Sequence, residues 1–198
     1  MKKYKLTDQK MRTYGGCQWE LNIPIQTHGN STKLCNDAWL HYYHHPLLAV
    51  LLNPIHAKIT NPRLFEVKAL GKHLDNNGLK GGCNKMTLIK ELKLPEITIN
   101  QKIAFAILCS LEVYKEPNFV LWANNWLKGV NRSCAAARAA ARAAADAAAY
   151  ADAADAADAA AYAAAYADAA DAADAAAYAA DARALNLIKL AKKALKYN

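Results

Sequence analysis

The sequence has five cysteines, at 17, 35, 83, 109 and 134, but no CxxC pair. Their odd number and irregular spacing exclude a zinc site defined by spacing and a complete disulfide framework. Also missing are GxGxxG, GxxxxGK[ST] and GxSxG, so no dinucleotide fold, P-loop or nucleophile elbow is signalled. The chain lacks any run of about 18 bulky apolar residues, and Asp interrupts its alanine-rich tract too often for a bilayer span. The opening MKKYKLTDQK has the charge of a leader without an apolar h-region. The expectation is a soluble, reduced, cytoplasmic protein with no membrane contact, no cofactor and no metal. Glycine and proline are absent after residue 134, which removes the usual turn signals from the last third of the chain.

Charge is present but unevenly placed. Residues 1–133 hold 18 Lys/Arg against 9 Asp/Glu, residues 134–184 hold 3 Arg against 8 Asp, and residues 185–198 hold 4 Lys and no acid. The chain is therefore basic, acidic, basic. A polyanion, nucleic acid included, is a permissible partner for the ends and is repelled by the middle. The acidic segment can equally pair with basic surfaces of its own chain or of a sister subunit.

An α+β domain is expected over residues 1–97. Short apolar runs (KYKLT, CQWELNI, WLHYY) are separated by turn chemistry, and PLLAVLL reads as a short helix ended by the Asn53–Pro54 break. Alternation predicts strands at 63–71 and 86–94, with DNNGLKGG as the loop between them and Gly81–Gly82 as a turn. Two helices should occupy 98–132, connecting elements packed on that domain. Thr98 and Gln101 form a capping-box pattern, while Pro117 and Gly129 suit the start and end of the second helix.

Residues 133–198 are an alanine-rich helical region. YADAADAADAAAYAAA, residues 150–165, recurs nearly unchanged at 166–181. A straight helix of 64 residues would extend about 96 Å. Sixteen residues correspond to a rotation of about 160°, so in a rod the two acidic stripes would face opposite ways. A reversal between Tyr162 and Tyr166 lets both copies turn their alanines inward, and a hairpin or small bundle is expected. Tyr150, Tyr162, Tyr166 and Tyr178 would fill gaps left by alanine, and Arg138 and Arg142 would bond aspartates, Arg142 to Asp146 at i,i+4. The final segment is an amphipathic helix with Lys189, Lys192, Lys193 and Lys196 on one stripe. These helices are expected to act as scaffold and oligomerisation element.

WLHYYHHP, residues 39–46, is the densest cluster of reactive side chains. Read as a strand, it places Trp39, His41, Tyr43 and His45 on one face and Leu40, Tyr42 and His44 on the other. The first face is the candidate ligand-binding surface. A three-His metal site could in principle draw on His41 and His45 with His56 or His28, but no carboxylate accompanies them at ligand spacing.

The run from WLHYYHHPLLAVLL to INQKIAFAILCSLEV, followed by an alanine tract studded with Tyr, Asp and Arg, resembles a group of phage and prophage proteins. It is also similar to alanine-rich immunity proteins of bacteria. That resemblance implies an accessory binding protein, of counter-defence or immunity type, directed at a host protein or a small anionic, nucleotide-like ligand. LHYY, PLLAVLL and RLFEVKALG also look like the half-barrel of ADP-ribosyltransferase-type domains. This second resemblance implies an enzyme that needs a nicotinamide-binding His or Arg, an aromatic position and a catalytic Glu. His41 and Tyr42 are the nominees for the first two, while no Glu sits in an identifiable motif, Glu66 and Glu91 lying on the alternating strands.

Overall fold

The computed structural model describes residues 2–147 and 152–198, and the protein is α+β. Two compact units divide it, Met1–Glu96 and Ile97–Asn198.

The first unit is built on one long antiparallel hairpin. Its strands β4 (Arg63–Asn76) and β5 (Lys80–Leu92) pair along their length, from Leu64 opposite Leu92 to Asn76 opposite Lys80. Both strands run further than alternation indicated. The turn is only Asn77–Leu79, with Asn77 and Gly78 at positive φ and the Asp75 carboxylate accepting from Gly78 N at 2.8 Å. Gly81 and Gly82 are therefore strand residues rather than a turn. A Cβ at Gly81 would lie 2.5 Å from the Tyr42 ring, and one at Gly82 would lie 2.4 Å from Leu34 Cδ1. The glycines are needed for close approach of neighbouring side chains.

β1 (Lys3–Thr7) adds to β4 antiparallel, while β2 (Pro24–Gln26) and β3 (Leu40–Tyr42) follow one another along the other edge of β5. Immediately after β3, Tyr43 exchanges backbone hydrogen bonds with Tyr4 of β1, at 2.7 and 2.9 Å. The path β1–β4–β5–β3 thus returns to β1, and the sheet closes on itself. Trp19, Leu40, Tyr42, Phe65, Val67, Cys83, Met86 and Leu88 form the core of this small barrel. Helix α1 (Pro46–His56) buries Leu47, Leu48, Leu51 and Leu52. It continues one turn past the expected break because Pro54 sits near the C-terminal end, where it costs a single helical bond.

In the second unit α2 (Ile99–Val113) starts at the Thr98/Gln101 capping box, formed in both directions. α3 (Pro117–Leu127) has proline at N1 and is closed by Gly129 at φ 72°. Four further helices follow: α4 (Cys134–Ala147), α5 (Asp152–Tyr166), α6 (Ala169–Ala182) and α7 (Leu187–Ala194). α4 packs on α5 and α5 on α6, while α2 packs against α5, α6 and α7. Residues 98–132 thus group with the alanine helices in one unit, in contrast to the three-part division expected from sequence. The reason is α2, apolar on most sides, whose Ile103, Phe105, Ile107 and Leu108 are buried. Alanine faces let helices approach closely enough to cover it. Ser110 Oγ lies 3.0 Å from Ala106 O in its own helix and 2.6 Å from Ala156 O of α5, and its single proton serves the shorter bond, across helices.

The repeat does reverse, just beyond the expected interval. α5 runs through Tyr166, Ala167 adopts φ 54°, and Asp168 caps α6 through Ala170 N and Asp171 N. Aspartate capping supplies the turn signal in the absence of glycine. Ala167 holds a left-handed conformation that favours glycine, so Ala167→Gly should stabilise the unit by about 0.5–1 kcal/mol. A denaturant midpoint that falls on this substitution would contradict the turn geometry.

Tyr162, Tyr166 and Tyr178 are 40, 56 and 41% exposed, so they lie at the rim of the alanine packing instead of filling its interior. Tyr162 and Tyr166 stack at 5.8 Å, and the Arg138 guanidinium sits 4.9 Å over the Tyr166 ring, a contact that the sequence did not indicate. Tyr150 and the side chains of Arg142 and Asp146 fall outside the described residues. In α7 the lysines are exposed and Leu187, Leu190, Ala191 and Ala194 are buried.

Between α5 and α6 carboxylates crowd one another. Asp158 is pushed above the usual carboxylate range by burial, then by Asp155 and Asp171, and its Oδ1 is buried without a hydrogen bond. Asp171 shifts the same way through burial, Asp168 and Asp174. For an acid raised in the folded state, the folded chain binds more protons than the unfolded, so its contribution to stability improves as pH falls through the folded pKa and levels off below 3.8. Asp158→Asn should therefore stabilise the protein more at pH 7 than at pH 4. Thermal midpoints of both proteins at the two values check this, and an equal gain at both would contradict it.

Candidate functional site

The alternation read into WLHYYHHP holds through Tyr43 and then ends. Trp39 and His41 lie on the side of β3 that meets Gly82, and Trp39 is buried with its Nε1 donating to Ser31 O at 3.1 Å. His41 Nε2 is 2.7 Å from Leu34 O, an arrangement that fits the Nε2–H tautomer. Burial depresses its pKa, and the positive charges of Lys5 and Lys80 add to that. Tyr43 is buried and stacks at 5.9 Å on His56 of α1. Burial, Lys80 and His41 together lower His56 to about 3, and its Nδ1 is buried without a partner. His45 serves α1 as N-cap, its Nδ1 accepting from Leu47 N at 3.2 Å. The expected ligand face is thus largely packed: two of its four members are under a tenth exposed and a third caps a helix.

The other half of the motif makes the denser polar network. His44 bridges two partners, with Nδ1 2.7 Å from Lys3 Nζ and Nε2 2.5 Å from Asp75 Oδ2. Tyr42 OH is 3.2 Å from His73 Nδ1, and Lys3 Nζ lies 4.8 Å over the Tyr42 ring. Burial raises the Tyr42 phenol to about 12, with Cys83 and Asp75 adding to it, so it stays protonated and able to donate. Backbone geometry explains the convergence. A register shift between Leu70 and His73, held by Lys72 N donating to Asn84 Oδ1 at 2.8 Å, puts His73 opposite Cys83 and Asp75 opposite Gly81. Gly81 then leaves room for the Tyr42 ring between them.

Beside this network the barrel holds cations that lack counter-ions. Lys5 shares a strand face with Lys3, is only 7% exposed, donates to His41 O at 2.9 Å and lies 4.7 Å over the Trp19 ring. Burial brings its pKa down to about 8. Lys3 is lowered as well by burial, opposed by Asp75 and Cys83. Lys80 is also buried. Among the described residues no ion pair joins Lys5 or Lys80 to a carboxylate. A buried cation without a partner is costly, and a bound anion is the natural compensation. Tyr42 and His44 were placed on the less favoured face by sequence. Lys3 and Lys5 were legible as one strand face, but His73 and Asp75 sat in or beside a segment read as loop.

Other candidates fall away from this centre. Glu66 pairs with Lys2 at 3.0 Å and Lys90 at 3.8 Å, and Glu91 pairs with Arg63 at 2.6 Å. Both lie near the end of β5 remote from His41, which is opposite Gly82; eight strand residues amount to about 26 Å of path. All five cysteines are unpaired thiols, and burial raises the Cys83 pKa. Among the described residues no three His, Cys, Asp or Glu side chains are placed to hold a metal, and no helix is long and apolar enough to cross a membrane.

A family model described as a domain of unknown function (DUF7666) covers residues 1–100, which includes the whole barrel and its cationic network. No curated protein and no solved structure matches the chain.

Proposed function

The chain belongs to the DUF7666 family, and from the part that the family covers we propose a binding module for a small anionic, nucleotide-like ligand. The observation that carries this reading is the surplus of cations in and beside the barrel: Lys3 and Lys5 share one strand face, Asp75 is the carboxylate that reaches the Lys3–His44 network, and Lys5 is buried with no ion pair among the described residues. A ligand phosphate would take the hydrogen bonds of Lys3 Nζ and, with Asp75 displaced, of His44 Nε2. Tyr42 OH and His73 stand beside them as further donors. Lys5, two residues away along the same strand face, about 6.6 Å, adds field without touching the ligand. The reading extends to an accessory role of counter-defence or immunity type, in which a phage-borne protein sequesters a signal of the host. Sequence resemblance supports that extension. The alanine helices act as scaffold and, in a homo-oligomer, as the assembling element.

Titration of the full chain with ADP, followed by calorimetry, tests the module. Binding should weaken at least about tenfold, ~1.4 kcal/mol, in Lys3→Ala, with an unchanged thermal midpoint. Undetectable ADP binding by the unsubstituted chain, or equal affinity in the variant, would remove the reading. If long nucleic acid bound with a steep salt dependence while ADP did not, a nucleic-acid interface would take its place.

A further inference from the structure

Lys3, His44 and Asp75 form a linear relay in the first unit. A carboxylate only accepts hydrogen bonds and an ammonium only donates them, so the two contacts fix the state of the imidazole between them. Nε2 carries the proton and donates to Asp75 Oδ2 at 2.5 Å, which leaves the Nδ1 lone pair directed at Lys3 Nζ, 2.7 Å away. An amine, a base within hydrogen-bond reach of it and a third group that orients the base are the parts of an activated nucleophile. Three segments bring them together: Lys3 opens β1, His44 lies just past β3, and Asp75 sits at the turn end of β4.

The surroundings favour the free amine. Burial lowers the pKa of Lys3, opposed by the charges of Asp75 and Cys83. The Tyr42 ring, 4.8 Å from Nζ, also favours the ammonium, yet the net direction is down. An ordinary lysine titrating at 10.5 holds about one free amine in three thousand at pH 7, and any lowering multiplies that fraction. Access separates Lys3 from its neighbour. Lys5 is depressed as well, but it is sealed in the core and bound to the His41 carbonyl. Lys3 and His44 are only half-buried, and Asp75 and His73 beside them are exposed.

We propose that Lys3 captures small carboxylate-bearing aldehydes as a Schiff base. His44 Nδ1 takes a proton from the ammonium, and the free amine attacks the carbonyl carbon. The C–N bond forms as the C=O π pair moves to oxygen, which receives the proton back from the imidazolium. His44 then carries a second proton from nitrogen to the hydroxyl, which leaves as water while the nitrogen lone pair closes the C=N bond. Ammonium and aldehyde thus give a protonated imine and water, with no oxidant or reductant. The fixed charge of Lys5, about 6.6 Å along the strand face, favours a carboxylate on the aldehyde. This activity shares Lys3 with the anion module without depending on it: the ammonium holds a phosphate, the free amine attacks a carbonyl.

The test is glyoxylate with sodium cyanoborohydride, which reduces the imine to a stable secondary amine, on the full chain at pH 7. Tandem mass spectrometry reads the labelling of each lysine, with Lys93, 88% exposed at its side chain, as internal reference. Lys3 should be labelled at least about tenfold faster than Lys93. His44→Gln, whose amide oxygen still accepts from Lys3 but cannot take its proton, should abolish the difference. Asp75→Asn keeps an acceptor for Gly78 N but removes the charge behind His44. It should lower the ratio with an unchanged thermal midpoint, and serves if the first variant does not fold. Neutral acetaldehyde should give a lower Lys3-to-Lys93 ratio than glyoxylate. Selective labelling in a chain that does not bind ADP would leave this chemistry standing without the anion module. Labelling of Lys3 no faster than Lys93 would overturn the proposal. So would an unchanged ratio in the folded His44 and Asp75 variants, or an equal ratio with acetaldehyde.

Discussion

Replacing Lys5 by methionine is expected to stabilise the N-terminal unit by about 2 kcal/mol at pH 7. The amine titrates near 8 in the fold against 10.5 for a free lysine, a difference worth about 3 kcal/mol of penalty for the charged form. Losing its bond leaves the His41 carbonyl short of one donor, which returns about 1 kcal/mol. The pH signature has a definite sign. A lysine depressed in the folded state holds fewer protons there than in the unfolded state between pH 8 and 10.5, so stability rises with pH across that window and the full penalty applies below it. Methionine fills the aliphatic path of the side chain and cannot titrate. Urea melts at pH 7 and pH 10 should show a large gain for Lys5→Met at the first and a smaller one at the second. A destabilised variant at pH 7 would mean that the amine is structurally required.

Ending the chain after Arg132 is expected to unfold what remains of the second unit. α2 buries Ile103, Phe105, Ile107 and Leu108, and α5, α6 and α7 are the helices that pack on it. Removing them exposes several side chains, each contributing about 1.5–3 kcal/mol when buried, against a typical domain stability of about 5–15 kcal/mol. Circular dichroism should lose more helical signal than residues 133–198 alone contribute, and size-exclusion chromatography should show aggregation. A truncated protein that stays soluble with α2 and α3 intact would show that the alanine helices are an appendage.

Local chemistry was the legible part of the fold. The Thr98 capping box, Pro117 and Gly129 are signals within a few residues, and each appears where it was read, while the two alternating strands were read in place but too short toward their shared turn. The 16-residue period of the repeat required a reversal, and the missing information was only that Asp168 could serve as the turn signal. Closure of the sheet was not legible. Pairing of β3 with β5 at 81–83, and of Tyr43 with Tyr4, joins segments some forty residues apart, and no local pattern encodes it. The site followed from that closure. It turned Gly81 from a turn residue into a space for Tyr42, and it carried His44 to Asp75 and Lys3. The WLHYYHHP motif was the right place to look, but the useful half was the set of residues that shared a face with the core.

The anion module makes the cation surplus of the barrel a functional feature retained at a cost in stability. At about 7 Å and an effective dielectric near 20, Lys5 would favour a bound phosphate charge by about 2 kcal/mol. The most direct measurement is therefore ADP affinity and unfolding free energy determined side by side for the unsubstituted chain and Lys5→Met. The account predicts opposite movements, a more stable variant that binds ADP at least about tenfold more weakly. A variant that gains stability and binds ADP as well as before would contradict it.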